Sequence, residues 1–262
     1  MDFNRVTLTV EDGVGLLTLN HPEVMNAISL DMLEGLAAAM DHVEDEGAGV
    51  RCLVVTGAGR GFCAGANLQG RNTGDGKRGA GSVLESHYHP LLRRMRHLPC
   101  PILTAVNGAA AGAGMSLALM GDLVLAGRSA YFLQAFRRIG LVPDAGSTWI
   151  LPRLVGLRRA MELSLLGERL PADAALEWGL INRIYDDGAL MDEATTMARE
   201  LAQGPTVSLG LIRKLYWSSF ENTFEDQLDL EFRTQRVAGA SADFKEGVAA
   251  FLEKRPAKFQ GR

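Results

Sequence analysis

The sequence predicts an α/β fold, and three features carry that prediction. Short apolar runs bounded by turn residues alternate with helical stretches as far as Leu190, the pattern of strands joined by crossovers. Two of those runs, residues 52–56 and 102–106, lead into turns built mostly of small residues, GAGRGFCAGANLQG (57–70) and NGAAAGAG (107–114). From Leu190 onward only helical periodicity remains, so a helical layer follows the α/β core.

Taken in order, residues 6–10 and 14–19 flank Asp12-Gly13 and read as a hairpin. His21-Pro22 stops the second strand. Residues 26–29 then lead into a helix with Ser29 as N-cap, Asp31 in the first turn, and Met32, Leu33, Leu36, Met40 and Val43 as its apolar stripe. The strand at 52–56 enters the first small-residue turn, which is expected to lead toward a helix. Residues 71–81, polar and glycine-rich, read as a loop beside that turn, either a substrate lid or a tolerated insertion. His87, Tyr88 and His89 begin a helix with Pro90 in its first turn, which ends before Pro99.

The segment 101–122 reads as strand, tight turn and helix entry. Residues 108–114 carry nothing larger than a methyl group, so something approaches that backbone closely. Two readings stand: close helix packing, or N–H groups at a helix start aimed at an oxygen that becomes negative during a reaction. The turn at 57–70 favours the second, because two such turns can supply one N–H each to a single carbonyl oxygen. Residues 123–126 and 131–133 are further strands, and Pro143-Asp144 precedes a helix that runs to Leu151. Helices at 160–166 and 172–178, a strand at 181–185 and helices at 190–203, 207–217, 223–237 and 244–252 complete the chain.

Asp144 is the carboxylate singled out. As an N-cap it needs no further explanation. As a lone acid in a largely apolar segment, it is instead expected to face a pocket with its pKa raised.

Composition limits the function. The 262 residues suffice for one large domain with a helical extension. Apolar residues at 47% and charged residues at 22% are ordinary for a soluble globular chain. A net charge of −4, with both signs mixed along the chain, gives no basic footprint for nucleic acid. Cys52, Cys63 and Cys100 lack metal-ligand spacing, so no metal is expected, and Cys52 and Cys63 read as core. No apolar run reaches membrane-spanning length and no leader precedes the first strand, from which a cytoplasmic protein without membrane attachment is expected.

With both turns and Asp144 in view, the sequence resembles the crotonase, or enoyl-CoA hydratase/isomerase, family over essentially its whole length. The stretches that carry the resemblance are NHPEVMNAIS from Asn20, GRGFCAGANL from Gly59, AVNGAAAGAGMSLALMGD from Ala105 and GLVPDAGSTWILPRLVG from Gly140. The resemblance implies a ββα spiral core over residues 1–200, a helical oligomerisation region over 201–262, and homotrimers or homohexamers. It implies an acyl-CoA thioester substrate and no separate cofactor, coenzyme A being carried by the substrate. The oxyanion N–H groups map onto Ala66 and Ala113, and contacts to the acyl-CoA onto Val24, Ala64, Asn67, Leu68 and Gly112. A basic C-terminal residue reaching a neighbouring subunit's CoA phosphate maps onto Lys254 or Lys258.

Departures from the family pattern decide the expected activity. The hydratase glutamates belong at Ser116 and Phe136, so ordinary hydration is not the leading expectation. Asp144 matches the single acid of members that move a double bond, and GLVPDAGSTWILPRLVG with the C-terminal stretch is most similar to the isomerases of phenylacetate breakdown. Three alternatives remain: an enoyl-CoA hydratase, an aryl-CoA dehalogenase with Asp144 as nucleophile and His89 as base, and a non-catalytic acyl-CoA binder.

Overall fold

The computed structural model describes residues 1–68 and 81–262, so the expected loop at 71–81 lies, apart from Gly81, outside the described residues. The chain opens with strands β1 (Asp2–Phe3), β2 (Val6–Glu11) and β3 (Val14–Leu19). β2 and β3 form the expected hairpin, and Asp12 and Gly13 between them have φ of 52° and 79°. Two positive φ values in a two-residue loop give the turn that matches the twist of the strands.

After a 3₁₀ turn at Pro22–Val24 comes α1 (Leu30–Glu44), with the Ser29 hydroxyl accepting from the Met32 N–H at 3.2 Å. Every residue of the expected apolar stripe is buried. Then follow β4 (Cys52–Gly57), β5 (Gly61–Cys63), α2 (Gly81–Val83), one π-helical turn (Leu84–Tyr88) and α3 (His89–His97). The central segment supplies β6 (Ile102–Val106), β7 (Ala109–Ala111) and α4 (Ala113–Ala118). Next come β8 (Leu123–Gly127), β9 (Tyr131–Leu133), a 3₁₀ turn (Phe136–Ile139), α5 (Ser147–Leu166), β10 (Arg169–Pro171), α6 (Ala172–Glu177) and β11 (Arg183–Tyr185). Helices α7 (Leu190–Gln203), α8 (Thr206–Ser219), α9 (Phe224–Ala240) and α10 (Ala242–Glu253) complete the fold.

Two sheets organise these elements. The larger runs β1-β2-β3-β4-β6-β8-β11 and is parallel from β3 onward; the smaller runs β10-β9-β7-β5. β4 and β6 are buried along their whole length, as expected for parallel strands covered on both faces. Their side chains divide with period two. Cys52, Val54, Leu103 and Ala105 face Leu190, Ala194, Ala198 and Ala202 of α7, while Leu53, Val55 and Ile102 join the main core with Phe62, Met115 and Phe132.

Three expectations are corrected. The tract at 108–114 is not turn and helix alone: Ala109–Ala111 is a strand, paired parallel with both β5 and β9. Residues 57–70 likewise contain strand β5 rather than leading straight to a helix. The helix expected to stop at Leu151 and the one expected over 160–166 form a single element, α5, that breaks at Gly156 (φ 78°, ψ 158°), which only glycine adopts readily.

The C-terminal layer is held to the core by a buried cation. The Arg213 guanidinium on α8 pairs with Asp122, donates to the Leu98 carbonyl and reaches the Met95 carbonyl at 3.1 Å. Asp122 also accepts from the Ile102 N–H at 2.7 Å, so one carboxylate joins α8 to the start of β6. Farther on, the tail folds back along α10. Asp243 accepts from the Gln260 and Gly261 N–H groups, and Glu246 accepts from the Lys258 N–H and pairs with Arg255.

Replacing Arg213 by Leu should cost about 3–5 kcal/mol, because Asp122 then loses the ion-pair partner it has among the described residues, in a largely closed site. Chemical denaturation of the two proteins checks this. The Glu246 carboxyl is pulled from its ordinary 4.5 to about 2, first by Arg255 and then by the Lys258 N–H. A depressed folded-state pKa stabilises above the unfolded value and is lost as pH falls through the folded one. The tail should therefore stay docked above about pH 4.5 and loosen between there and about pH 2, followed by the Lys258 amide resonance.

Candidate active site

The site grows from the C-terminal ends of two adjacent parallel strands, the usual place for ligands in such sheets. β4 continues through the turn after Gly57 into β5 and residues 64–68; β6 continues through Asn107-Gly108 into β7, Gly112 and α4. Pairing of β5 with β7 then carries the two turns forward side by side.

Their backbones meet more closely than side chains would allow. A Cβ on Gly65, whose φ is +92°, would stand 2.7 Å from the Ala111 carbonyl oxygen and 3.6 Å from the Ala113 nitrogen. A Cβ on Gly114 would stand 2.3 Å from the Cys63 carbonyl oxygen and 2.7 Å from its sulfur. The close approach is thus backbone against backbone, which answers the question left by the small-residue tract.

Polar side chains brace the junction. Asn26, fully buried with φ of 55°, donates to the carbonyls of Ala58 at 2.9 Å and Gly61 at 2.8 Å, and its Oδ1 accepts from the His21 N–H at 2.8 Å. Asn107 donates from Nδ2 to the carbonyls of Gly57 at 2.8 Å and Gly59 at 2.9 Å. Residue 28 forms a parallel bridge with residue 66: the Ile28 N–H donates to the Gly65 carbonyl and the Asn67 N–H to the Ile28 carbonyl. The Cys63 thiol donates to the Asn26 carbonyl, and burial pushes its pKa up to about 12. Cys100 is likewise pushed up to about 12 and Cys52 is raised, each chiefly by burial, so all three cysteines are core groups.

Backbone donors near the junction have different fates. The Ala64 N–H goes to the Met25 carbonyl, and the Gly112 N–H to the Leu133 carbonyl at 2.8 Å. Among the described residues, neither the Ala66 N–H nor the Ala113 N–H donates to a protein acceptor. Ala113 is the first residue of α4, so its amide also carries the partial positive charge of a helix start.

Asp144 arrives from a third segment. Gly146, not Asp144, occupies the N-cap position of α5, which overturns the N-cap reading. The Asp144 carbonyl oxygen accepts from the Ser147 N–H at 3.1 Å, the Ser147 hydroxyl at 2.9 Å and the Ser116 hydroxyl of α4 at 3.2 Å. Ala145 and Gly146 follow with φ of 51° and 82°. A left-handed alanine is an uncommon, strained state, held here by the hydrogen bonds around it. Ser116 lies one helical turn from Ala113, so α4 places an amide and an anchor for the Asp144 turn on one side. Phe136 is buried, its ring tip about a contact distance from where a Gly112 Cβ would be, at 3.8 Å.

The other expected contact residues are dispersed. Ala64, Ala66 and Asn67 are half-buried along the first turn, Leu68 is exposed, and Val24 closes the 3₁₀ turn whose neighbour Met25 accepts from Ala64. Lys254 and Lys258 lie exposed at the end of α10, and no hydrogen bond or ion pair among the described residues joins them to the two turns. His89 begins α3 half-buried. Among the described residues no cluster of His, Cys, Asp and Glu has the form of a metal site, and no helix is long and apolar enough to cross a membrane. Sequence reasoning missed the bracing role of Asn26 and the Ser116 link; the only signal for the latter was a hydroxyl in an otherwise apolar helix.

Two abutting glycine turns, two amides without a protein acceptor among the described residues, and a carboxylate on a third turn make up the candidate site. The sequence model of enoyl-CoA hydratase/isomerase matches residues 9–262, and the chain belongs to that family. It is 51% identical to the 1,2-epoxyphenylacetyl-CoA isomerase of Escherichia coli, with 97% of each chain covered. It is 44% identical, over the full length of both, to a Rhodobacter capsulatus protein that carries the name probable enoyl-CoA hydratase. Among solved structures, an enoyl-CoA hydratase subunit I from Geobacillus kaustophilus superposes with a TM-score of 0.92 at 34% identity, both chains fully covered.

Substituting Gly114 by Ala should abolish the site, since the new methyl would overlap the Cys63 carbonyl oxygen at 2.3 Å and its sulfur at 2.7 Å. Either the protein fails to fold or its melting temperature falls by several degrees with loss of turnover; calorimetry with an activity assay reads both.

Proposed function

We propose that this protein is an acyl-CoA isomerase that converts ring-1,2-epoxyphenylacetyl-CoA to oxepin-CoA, moves the double bond of 3-enoyl-CoA to the 2-position, or does both. The observation that carries the reading is Asp144, which three hydrogen bonds to its own carbonyl hold beside α4, while Ser116 and Phe136 stand where hydratases carry glutamate. The 51% identity to the E. coli isomerase supports the same choice, whereas the hydratase name of the R. capsulatus relative keeps hydration as the competing outcome.

In this mechanism the thioester oxygen lies between the Ala66 and Ala113 N–H groups. Asp144 takes a proton from C2, and the electron pair passes into the enolate oxygen held by those two donors. The protonated carboxyl then returns the proton at C4, and the double bond has moved from C3–C4 to C2–C3 with no net gain or loss. Two preorganised donors are worth several kcal/mol of this barrier, and a positioned acid–base group adds about 10²–10⁴-fold. The Ser116 hydroxyl, fully buried and donating to a carbonyl, does not replace a carboxylate as a general acid or base, and the Phe136 ring can neither give nor take a proton. The acyl-CoA also contacts Val24, Ala64, Asn67, Leu68 and Gly112.

The exposed apolar side chains of the C-terminal helices, Tyr216, Phe224, Phe232 and Phe251 among them, fit self-association into a homotrimer or homohexamer. Lys254 or Lys258 of one copy then meets the CoA phosphates of its neighbour. Analytical ultracentrifugation tests the assembly.

Asp144→Asn should retain acyl-CoA binding, lose about 10³-fold in turnover, and stop deuterium exchange at C2 of a 3-enoyl-CoA. The assay is run beside crotonyl-CoA and 4-chlorobenzoyl-CoA. Efficient hydration of crotonyl-CoA would overturn the isomerase reading, halide release would replace it with the dehalogenase one, and unchanged turnover in the variant would remove Asp144 from the mechanism.

A further inference from the structure

The side chain that joins the two halves of the site is Ser116. It is fully buried, and its hydroxyl lies 3.4 Å from the Gly112 carbonyl of its own helix and 3.2 Å from the Asp144 carbonyl. One hydroxyl carries one proton, so the two carbonyls compete for it, and the shorter contact crosses between segments. Ser147 holds the same Asp144 carbonyl from its own helix. The Ser116 bond spans from the helix that presents the Ala113 amide to the turn that presents the carboxylate.

We infer that Ser116 is a positioning residue for the isomerisation, setting where the Asp144 carboxylate stands relative to the Ala113 N–H by tying the Asp144 main chain to α4. The inference rests on the acid–base role proposed for Asp144. The turn has a reason to need the tie: Ala145 holds a left-handed φ of 51°, and a strained turn relaxes when one of its anchors is removed. Because the bond ends on a main-chain atom, its loss leaves the chemistry of the carboxyl intact and changes only its place. A displacement of about 1 Å between an acid–base group and the reacting carbon can cost on the order of 10²-fold in rate.

The test compares Ser116→Ala with Thr104→Val. Thr104 is also fully buried and donates its hydroxyl to the Ala118 carbonyl at the other end of α4, at 2.8 Å, so its loss removes an equivalent bond without touching the Asp144 turn. With a 3-enoyl-CoA as substrate, Ser116→Ala should lose roughly 10- to 100-fold in kcat and in C2 deuterium exchange while KM stays within about twofold. Thr104→Val should lower the melting temperature comparably and keep kcat. Should the alanine variant not fold, Ser116→Cys, which keeps the volume and weakens the donor, is read the same way. Wild-type kcat in Ser116→Ala, or an equal loss in Thr104→Val, overturns the inference. Asp144→Asn measured alongside separates the two levels: if it is inactive while Ser116→Ala is fully active, the acid–base role stands and only the positioning role falls.

Discussion

The structure depends on two stretches of main chain being pressed together with nothing between them. Gly65 lies against the Ala111 carbonyl and Gly114 against the Cys63 carbonyl, at separations where even a methyl group would overlap an oxygen. That contact requires β4 and β6 to be neighbours, in register, with their following segments paired again as β5 and β7. It also requires that the buried polar groups of both turns be satisfied from outside. Asn26, Asn107 and the 28–66 bridge do this, since buried backbone groups left without partners are costly. Among the described residues, the amides of Ala66 and Ala113 donate to no protein acceptor.

The carboxylate is supplied by a different layer. Asp144 sits on a turn that packs on α4 and leads into α5, and three hydrogen bonds converge on its main-chain oxygen. A left-handed alanine beside it is a cost of about 1 kcal/mol carried by the surrounding contacts. The segment after β5 and the start of α4 carry the Ala66 and Ala113 amides, while a strained, tethered turn carries the carboxylate.

The helical layer follows another logic. Helix α7 closes the open face of the large sheet with a row of alanines, which lets it lie close to the strands. Beyond it, α8 is joined to the core through the Arg213–Asp122 pair, and α9 and α10 expose large aromatic side chains. A chain that buries so little of its C-terminal aromatic surface by itself has it available for other contacts.

Much was legible from the sequence alone, because it depended on local chemistry. The Asp12-Gly13 hairpin, the Ser29 cap, the apolar stripe of α1 and the fully apolar runs of β4 and β6 are set by turn preference, capping and hydrophobic period. The family, too, was legible in the two glycine turns and the segment around Asp144. What stayed hidden was settled by pairing between distant segments. Ala109–Ala111 has no intrinsic strand preference and becomes a strand only because β5 and β9 flank it. Likewise, the sequence allowed Asp144 to be a helix cap or a pocket carboxylate, and it was the tertiary structure that put Gly146 in the cap position and brought the Ser116 hydroxyl to the Asp144 carbonyl. A hydrogen bond between residues 28 positions apart leaves no periodic trace in a sequence, so only the packing of α4 against the start of α5 could decide it.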